Sequence, residues 1–458
     1  MTQTDMNDLV HRSELSDGVR ALLDPRNVVI LGASDKPGNW AQRVWRNLQR
    51  YKFPRAIYPL NPGRDEVWGT RCYRSYAELP ERPDHIVMLI PASFVPDALI
   101  EASRAGARSA TIMTAGFGEL RDPKAEALSE RLQQAIAQTG LAVSGPNCLG
   151  NLNARAGLVT MPDDRAQHLA VGPVAIVSQS GGIAMAIKRT LEERGIDTGL
   201  LVTSGNEAGL GTADYIAYYA SHPDVRVIVS YLEAVHDTAA FFQACRTAHA
   251  AGKPVVIAKL GASNEGRAAA LAHTGALAGS MEAFDAVMGP AGAIRVRTLD
   301  DVVEVVEYFV HARLPSGRNL GGITFSGALR GLLLDAASVN GLTFPPLAPQ
   351  TRKRLQSLLG VGSVVGNPLD SGFAALTSHE AYVQCVEAML HDPGIDVLLL
   401  QEELPRAAGT ERKEQNLRVV HALAANNRKP IVYVSMISYA LTDYSRNLHA
   451  ELPGLAPD

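Results

Sequence analysis

The amino-acid sequence predicts an α/β protein made of three doubly wound units, each with a largely parallel sheet. Short apolar runs rich in β-branched residues recur, each followed by a small-residue turn and an amphipathic helical pattern, as in NVVILGAS, PVAIVSQSGG and KPVVIAKLG. Uninterrupted apolar strands are typical of parallel sheets that helices cover on both faces. The length of 458 residues, with 46% hydrophobic content, also exceeds that of one ordinary domain.

Two interruptions of the strand–helix alternation predict the domain boundaries. The segment SGPNCLGNLNARAGLVTMPDDRAQHLAVG precedes a new strand at Pro173, and VHARLPSGRNLGG precedes another near Gly322. We therefore predict domains over residues 1–155, 165–315 and 318–458. The second and third both open with a glycine-bounded strand that leads into Ser-Gly and a helix, which favours a distant internal repeat.

The composition argues against several classes of protein. The formal net charge is −4 and no basic run occurs, which argues against a nucleic-acid partner. The polar N-terminus has no signal-like apolar region, and no later segment reaches the roughly 18 apolar residues of a membrane span. We therefore expect a cytoplasmic protein without a membrane partner. No metal site is predicted, because the cysteines lie far apart without zinc-like spacing: Cys72, Cys148, Cys245 and Cys385.

The turn after the first strand favours a phosphate-bearing ligand. Small residues from Gly32 to Ser34 end the strand, and a helix begins after Gly38. A helix N-terminus offers free N–H groups to an anion, so this is a mononucleotide-type Rossmann start without the strict GxGxxG pattern. The second strand ends in Asn61 and Pro62 rather than in the acid that would hold an NAD ribose, which argues against a dehydrogenase. A tight turn without any ligand remains the alternative.

A second turn of this kind opens the predicted second domain. After the strand VAIV, the residues Ser178-Gln179-Ser180-Gly181-Gly182 lead into an amphipathic helix. Two hydroxyls and two glycines at a helix start form an anion cradle, although the P-loop pattern with its lysine is absent. A plain turn without a ligand is again the alternative.

One histidine and one glutamate are candidates for chemistry at this cradle. His273 lies in the small-residue segment RAAALAHTGALAG, which follows a strand whose carboxyl end is where open α/β sheets bind ligands. Glu233 ends the strand of VRVIVSYLE in the same domain and could fix the histidine tautomer. A structural histidine and a solvated strand-end glutamate are the alternatives, and His85, His249 and His311 are given no role.

Nine motifs along the chain resemble those of one family. In order they are LGASDKPGNW, YPLNP, MLIPASFV, MTAGFGE, SGPNCLGNLN, AIVSQSGGIA, TSGNEAGLGTADYI, YLEAVHD and AHTGALAG. They are similar to the motifs of NDP-forming (ADP-forming) acyl-CoA synthetases, relatives of succinyl-CoA synthetase, and the match covers essentially the whole chain. The resemblance implies an N-terminal Rossmann-like CoA-binding domain followed by two flavodoxin-like ligase domains.

The resemblance also implies a reaction and its catalytic residues. The family interconverts carboxylic acid, CoA and ATP with acyl-CoA, ADP and phosphate, through an acyl phosphate and a phosphohistidine. The resemblance places the phosphohistidine at His273 and makes Glu233 the residue that orients it. It also makes the helix start a phosphate site, with Ser178, Ser180, Gly181 and Gly182 as the expected ligands.

The same resemblance implies the residues that line coenzyme A. Asn147 is expected near the thioester, and Lys36 is available to a CoA phosphate, with a solvated turn lysine as its alternative. The expected cofactor-binding residues are Gly32, Ala33, Ser34, Lys36, Gly38, Asn61, Pro62, Pro91, Ala92, Thr114, Gly116, Glu119 and Asn147.

Two features depart from the family pattern. Ala272 replaces the serine that often precedes the histidine, and ITFSGALRGLLLD in the third domain lacks the expected Ser-Gly-Gly. The family binds ADP or ATP with Mg²⁺ on an ATP-grasp module, which this sequence does not contain. We therefore expect a β subunit or a fused domain as partner and a hetero- or homo-oligomer. The alternative is a catalytically silent, CoA-binding regulatory relative, and the sequence does not identify the acid.

Overall fold

The computed structural model describes residues 16–118, 122–163, 169–266, 281–435 and 441–452. The chain forms two compact units. The first comprises Met1–Glu192 and Ile196–Val303, and the second comprises Glu193–Gly195 and Glu304–Asp458. None of the described helices is long and apolar enough to cross a membrane.

The first unit begins with a parallel five-stranded sheet in the order β2-β1-β5-β6-β7. A short antiparallel hairpin, β3 and β4, follows β2. The strands are β1 (Asn27–Leu31), β2 (Ala56–Leu60), β3 (Glu66–Val67), β4 (Thr70–Arg71), β5 (His85–Met88), β6 (Ser109–Ile112) and β7 (Ala142–Ser144). The helices that accompany them are α1 (Trp40–Arg50), α2 (Val95–Ala105) and α3 (Pro123–Thr139).

The second sheet of this unit has seven strands in the order β14-β13-β12-β10-β11-β8-β9. Its strands are β8 (Asn151–Asn153), β9 (Leu158–Val159), β10 (Val174–Ser178), β11 (Thr198–Thr203), β12 (Val227–Leu232), β13 (Val255–Lys259) and β14 (Ala293–Val296). The five strands from β10 to β14 are parallel, and β8 and β9 are antiparallel additions. The helices are α4 (Gly181–Glu193), α5 (Thr212–Ser221), α6 (Thr238–Ala250) and α7 (Met281–Met288). Helix α8 (Leu299–His311) begins in this unit, and its residues from Glu304 onward belong to the second unit.

The second unit has a parallel four-stranded sheet in the order β16-β15-β17-β18. Its strands are β15 (Leu320–Thr324), β16 (Leu369–Asp370), β17 (Val397–Gln401) and β18 (Ile431–Val434). Its helices are α9 (Gly327–Val339), α10 (Pro349–Leu358), α11 (Gly372–Thr377), α12 (His379–Leu390), α13 (Glu411–Ala425) and α14 (Asp443–Glu451).

Sequence signals explain where these elements form. All five residues of β1 and of β10 are buried, as expected for central strands of a sheet covered on both faces. The side chains of Asn39 and Asp237 accept backbone N–H bonds at the starts of α1 and α6. Gly106 ends α2 in the left-handed conformation that glycine adopts without strain.

Segments that come before and after the first sheet in the sequence contribute to the second sheet and its core. Strand β8, which lies inside the predicted range 1–155, pairs with β11 through Leu152 and Leu201. Val19 and Leu22, which precede β1, are buried in the same hydrophobic cluster as Val202 of β11. The first sheet therefore has a separate core but not a separate stretch of chain, and the division into three domains stays a prediction.

Each parallel sheet repeats the same strand order. When only the parallel strands of each sheet are counted along the chain, the order is second, first, third and fourth, and a fifth strand follows in the first two sheets. In a doubly wound sheet, ligands bind in the crevice between the first and third strands, where the order reverses. This rule places one crevice at β1 and β5, and another at β10 and β12.

Candidate active site

The first crevice is shaped by the turn after β1. Gly32 has a φ of +94°, and a Cβ there would lie 2.4 Å from the carbonyl oxygen of Leu89, which follows β5. Because that contact is far too short, only glycine lets the two strand ends approach so closely. The backbone N–H groups of Gly32 and Ala33 donate to the carbonyl of Leu60 at the end of β2, at 3.0 and 3.3 Å.

Polar contacts hold this turn in place from the side of β2. Asn61 Nδ2 donates to the carbonyl of Ala33 at 2.7 Å, and Asn61 Oδ1 accepts the N–H of Gly63 at 2.9 Å. Trp68 Nε1 donates to the carbonyl of Ser34 at 3.1 Å. Ala33 and Ser34 are buried, so among the predicted cofactor-binding residues these two shape the turn rather than its exposed surface.

The part of the turn that leads into α1 is open to solvent and could contact a ligand. Lys36 and Gly38 are both exposed, and Gly38 has a φ of +77° with open space where a Cβ would be. A lysine beside an open glycine backbone at the start of α1 suits a phosphate group of the kind that coenzyme A carries. These residues therefore fit the predicted cofactor.

The opposite rim of the crevice is a connected series of turns after β5, β6 and β7. Thr114 Oγ1 donates to the carbonyl of Ile90 at 2.7 Å, and the N–H of Asn147 donates to the carbonyl of Thr114 at 3.0 Å. A Cβ on Gly116 would lie 3.4 Å from the Cβ of Ala92. Pro62 and Pro91 are exposed at strand ends of the same sheet. Glu119, also predicted here, lies outside the described residues.

The second crevice contains the predicted anion cradle. Ser178 is buried, and its Oγ donates to the carbonyl of Ser180 at 2.7 Å and accepts the Ser180 N–H at 3.2 Å. Ser180 Oγ accepts the N–H of Ile183 at 3.4 Å in the first turn of α4. Ser178 therefore shapes the turn, whereas the exposed Gly182 lies at the open end of the helix. A Cβ on Gly181 would lie 2.4 Å from the Leu149 side chain, so a larger residue would require that side chain to move.

Glu233 directly follows β12 and lies next to this cradle, because β10 and β12 are neighbours with Ser178 in register with Tyr231. Glu233 is only 3% exposed, so the alternative of a solvated strand-end glutamate is wrong. The carbonyl of Glu233 accepts a hydrogen bond from Lys259 Nζ at 3.4 Å. Burial lowers the pKa of Lys259, the last residue of β13.

Sequence reasoning missed the side chain that positions Glu233. Gln179 Oε1 accepts the backbone N–H groups of Glu233 and Ala234 at 2.6 and 3.0 Å, and Gln179 Nε2 donates to the carbonyl of Ala234 at 2.8 Å. One buried amide thus joins the cradle to the segment that carries Glu233. A polar residue between two strand-end serines was the available signal.

His273 lies outside the described residues, so its place at the cradle stays a prediction. Strand β13 is parallel to β10 and β12, so its carboxyl end lies on the same side of the sheet as Ser178 and Glu233. The described residues end at 266 and resume at Met281, the first residue of α7. Both ends of the intervening segment therefore belong to the domain that contains the cradle.

A loop of the motif TSGNEAGLG joins the two crevices. The N–H of Ser204 donates to the carbonyl of Ser178 at 2.9 Å, while Asn147 Nδ2 donates to Asn206 Oδ1 at 3.2 Å. Asn147 and Glu207 both have left-handed backbones, with φ of 57° and 55°. Such conformations cost about 1–3 kcal/mol each and often occur at functional sites. Asn206 and Glu207 carried no role in the sequence predictions.

The chain matches two family models. Residues 26–154 match a CoA binding domain, and residues 171–309 match a succinyl-CoA ligase like flavodoxin domain. A solved structure, the dinucleotide forming acetyl-coenzyme A synthetase 1 of Ca. Korarchaeum cryptofilum in complex with phosphate and ADP, has a TM-score of 0.82 and 25% identity. The alignment covers 96% of this chain and 93% of that one.

Two curated relatives extend the similarity. A trans-feruloyl-CoA synthase from an unknown prokaryotic organism is 35% identical over 82% of this chain and 53% of its own length, so the chain spans about half of that relative. The α subunit of ADP-forming acetate–CoA ligase II from Pyrococcus furiosus is 31% identical over 91% of this chain and 89% of the subunit. The chain therefore belongs to the family of ADP-forming acyl-CoA synthetases, alongside the α subunits of the ADP-forming acetate–CoA ligases.

Proposed function

We propose that this chain is the α-type part of an ADP-forming acyl-CoA synthetase, which interconverts carboxylic acid, CoA and ATP with acyl-CoA, ADP and phosphate. The observation that carries the proposal is the cradle at the start of α4, next to the buried Glu233 and bonded through Ser204 to the loop that contacts Asn147. A CoA-type crevice and a phosphate-type crevice are thereby held together within one compact unit. The family membership favours this function over a silent regulatory relative.

The first chemical step transfers the acyl group to phosphate. Phosphate held at the N–H groups of Gly181 and Gly182 attacks the acyl carbonyl of acyl-CoA, so a C–O bond forms and the C–S bond breaks. The thiolate leaves and takes up a proton as free CoA. Lys36 and Gly38 bind the phosphate-bearing part of CoA, while Asn147 lies towards the thioester.

The second step transfers the phosphoryl group to the protein. A ring nitrogen of His273 attacks phosphorus, the bond to the acyl oxygen breaks, and the carboxylate leaves. Glu233 accepts the other ring N–H and so stabilises the positive charge that develops on the imidazole. The phosphoryl group then passes from His273 to ADP.

ADP and Mg²⁺ bind to an ATP-grasp module on a partner subunit or a fused domain. The support is that the Pyrococcus furiosus relative is named as an α subunit, and that the solved synthetase contains ADP and phosphate. The names of the relatives include acetate, 4-hydroxybutyrate and feruloyl-CoA, and they do not select the acid for this chain.

Radiolabelled phosphate tests the proposal. The purified chain, alone and with its nucleotide-binding partner, is incubated with labelled phosphate and a panel of acyl-CoAs, and acid-labile, alkali-stable label on the protein is measured. We expect label with at least one acyl-CoA and none in His273→Ala. The control is His236→Ala, because His236 is an exposed histidine in the motif YLEAVHD. Label that persists in His273→Ala, or its absence with every acyl-CoA, would contradict the proposal.

A further inference from the structure

We propose that a cavity between α1 and α4 binds the tail of the acid, and that the acid has an aromatic tail with an oxygen acceptor at its far end. The cavity has a volume of about 450 Å³ and is lined by Trp40 of α1 and by Gly182, Met185 and Arg189 of α4. The inference rests on the proposed function, because it takes the helix start as the site of the reacting carboxyl group.

The direction of the cavity follows from the helix that lines it. Gly182, Met185 and Arg189 are separated by three and four residues, so they lie on one face of α4. At 1.5 Å per residue, this face extends about 10 Å from the open helix start to Arg189. A carboxyl or acyl phosphate group at the cradle would therefore send its tail along this face into the cavity.

The walls of the cavity suit a flat apolar group. Trp40 is 40% exposed and lines the cavity, whereas Trp45 on the same helix packs against Trp68 with ring centroids 5.5 Å apart. Met161 and Met185 are mostly buried and also line it. Indole rings and thioethers both make favourable contacts with aromatic rings. A volume of about 450 Å³ is typical of pockets for small organic ligands and is far larger than a two-carbon acid requires.

The charges of the cavity indicate what the far end of the tail carries. Arg43 and Arg189 line it from opposite helices, and Asp163 is the acidic residue of the lining, which leaves an excess of one positive charge. Among the residues that the structure describes, the half-buried Arg189 has no hydrogen-bond or ion-pair partner, whereas Arg43 and Asp163 both have partners. A guanidinium donates hydrogen bonds to oxygen acceptors and stacks on aromatic rings. The far end therefore suits a phenolic, ether or carboxylate oxygen.

The labelling assay with matched acyl-CoAs tests this inference. Acetyl-, cinnamoyl-, 4-hydroxycinnamoyl- and adipoyl-CoA are compared by the concentration that gives half-maximal label on the full chain. We expect 4-hydroxycinnamoyl-CoA to act at a concentration at least tenfold lower than acetyl-CoA. If adipoyl-CoA instead acts at the lowest concentration, the acid is a linear dicarboxylic acid, and the proposed aromatic tail is contradicted.

Two variants test the apolar walls of the cavity and the charge of Arg189 separately. Met185→Trp fills the cavity, so we expect it to raise the half-maximal concentration of both aromatic acyl-CoAs at least tenfold, and by a larger factor than that of acetyl-CoA. Arg189→Met should raise that concentration for 4-hydroxycinnamoyl-CoA about tenfold or more, and much less for cinnamoyl-CoA. Thr190→Ala is the control, because Thr190 is the exposed next residue of α4 and is not part of the lining.

The outcomes distinguish this inference from the proposed function. Equal labelling by all acyl-CoAs, or an unchanged response to the aromatic ones in Met185→Trp, would overturn the cavity while leaving the phosphohistidine intact. If no acyl-CoA labels the protein, the proposed function is contradicted. Calorimetric titration with free 4-hydroxycinnamate then tests separately whether the cavity binds the acid. Binding that Met185→Trp abolishes and Thr190→Ala retains would support the cavity, whereas no binding to wild type would overturn it.

Discussion

Gln179 shows how much of the candidate site depends on one side chain. Its amide is buried and makes three hydrogen bonds to the backbone at Glu233 and Ala234. Gln179→Met keeps the size of the side chain but removes its amide. The backbone N–H groups of Glu233 and Ala234 and the carbonyl of Ala234 then lose these hydrogen bonds. We expect the free energy of unfolding of the first unit to fall by about 2 kcal/mol, measured by urea denaturation.

The control for this change is Gln243→Met, because Gln243 is an exposed glutamine on α6. A surface substitution of this kind should change the free energy of unfolding by about 0.5 kcal/mol or less. Equal effects of the two substitutions would mean that Gln179 does not hold the Glu233 segment.

Gly32 and Gly38 differ in a way that tests the CoA crevice. Both have left-handed backbones, but a Cβ on Gly32 would collide with the Leu89 carbonyl, whereas a Cβ on Gly38 would have open space. Gly32→Ala should therefore displace the turn and weaken CoA binding at least tenfold, measured by calorimetric titration. Gly38→Ala adds only backbone strain of about 1 kcal/mol, so its effect on affinity should be smaller. The reverse order would argue against the crevice at β1 and β5.

At the scale of elements, the turn before α9 repeats the turn before α4. Ser326 N–H donates to Thr324 Oγ1 at 3.2 Å, as Ser180 N–H donates to Ser178 Oγ. The sequence ITFSGA lacks the second glycine, yet a hydroxyl two residues earlier makes the same local bond. A carboxylate also lies near this second helix start, since Asp370 Oδ2 would be 3.5 Å from a Cβ on Gly327.

Strand β5 carries a buried histidine to which the sequence analysis assigned no role. His85 is completely buried, with Nδ1 2.9 Å from Ser109 Oγ and Nε2 3.2 Å from Thr111 Oγ1 on the neighbouring β6. Thr111 Oγ1 also accepts a hydrogen bond from Asn151 Nδ2 on β8. The Thr111 hydroxyl can then donate to His85, which suits a neutral imidazole. Burial lowers the pKa of His85 from 6.5 to about 4.

This pKa predicts a pH-dependent stability. Because the folded value of about 4 lies below the unfolded value of 6.5, the unfolded chain binds more protons between these pH values, and acidification favours unfolding. Between pH 7.5 and 4.5 the loss from His85 should be roughly 2–3 kcal/mol. Urea denaturation of wild type and His85→Gln across this range measures the difference. Parallel pH profiles of the two proteins would show that the histidine is not held neutral.

Periodicity predicted the elements well, because a buried parallel strand leaves a local signal in the sequence. The strands β1, β10, β13 and β15 all lie where apolar runs indicate them. The burial of Glu233 left no such signal, since the backbone of its segment is held by Gln179, which lies far away in the sequence. The same holds for Trp40 and Trp45, which share a helix but have different surroundings.

At the scale of the whole molecule, the sequence predicted the number of parallel sheets but not which segments join them. Strand β8 lies within the predicted first domain and still pairs with β11, because antiparallel pairing needs only a partner edge and not a neighbour in sequence. Two of the three parallel sheets lie in one compact unit, and the third sheet lies in the other. Family motifs predicted the reaction that is proposed here, whereas the cavity along α4 was visible only in three dimensions.

The proposed division of labour predicts how far the chain proceeds by itself. If the nucleotide binds to an ATP-grasp module elsewhere, acyl-CoA and phosphate should load at most one phosphoryl group per chain, and added ADP should leave that label in place. Addition of the nucleotide-binding partner with Mg²⁺ should then discharge the label and produce an equal amount of ATP. Labelled phosphate on the protein and luciferase detection of ATP measure the two quantities in one sample.

His273→Ala mixed with the same partner is the control, and it should give neither label nor ATP. A separate mixture of wild type and partner without phosphate should also give no ATP, because acyl-CoA and ADP alone lack the transferred group. ATP formation by the chain alone would place nucleotide binding within these 458 residues and contradict the proposed partner. Discharge of the label by ADP without ATP formation would instead indicate hydrolysis, and transfer of the phosphoryl group to ADP would not be the role of His273.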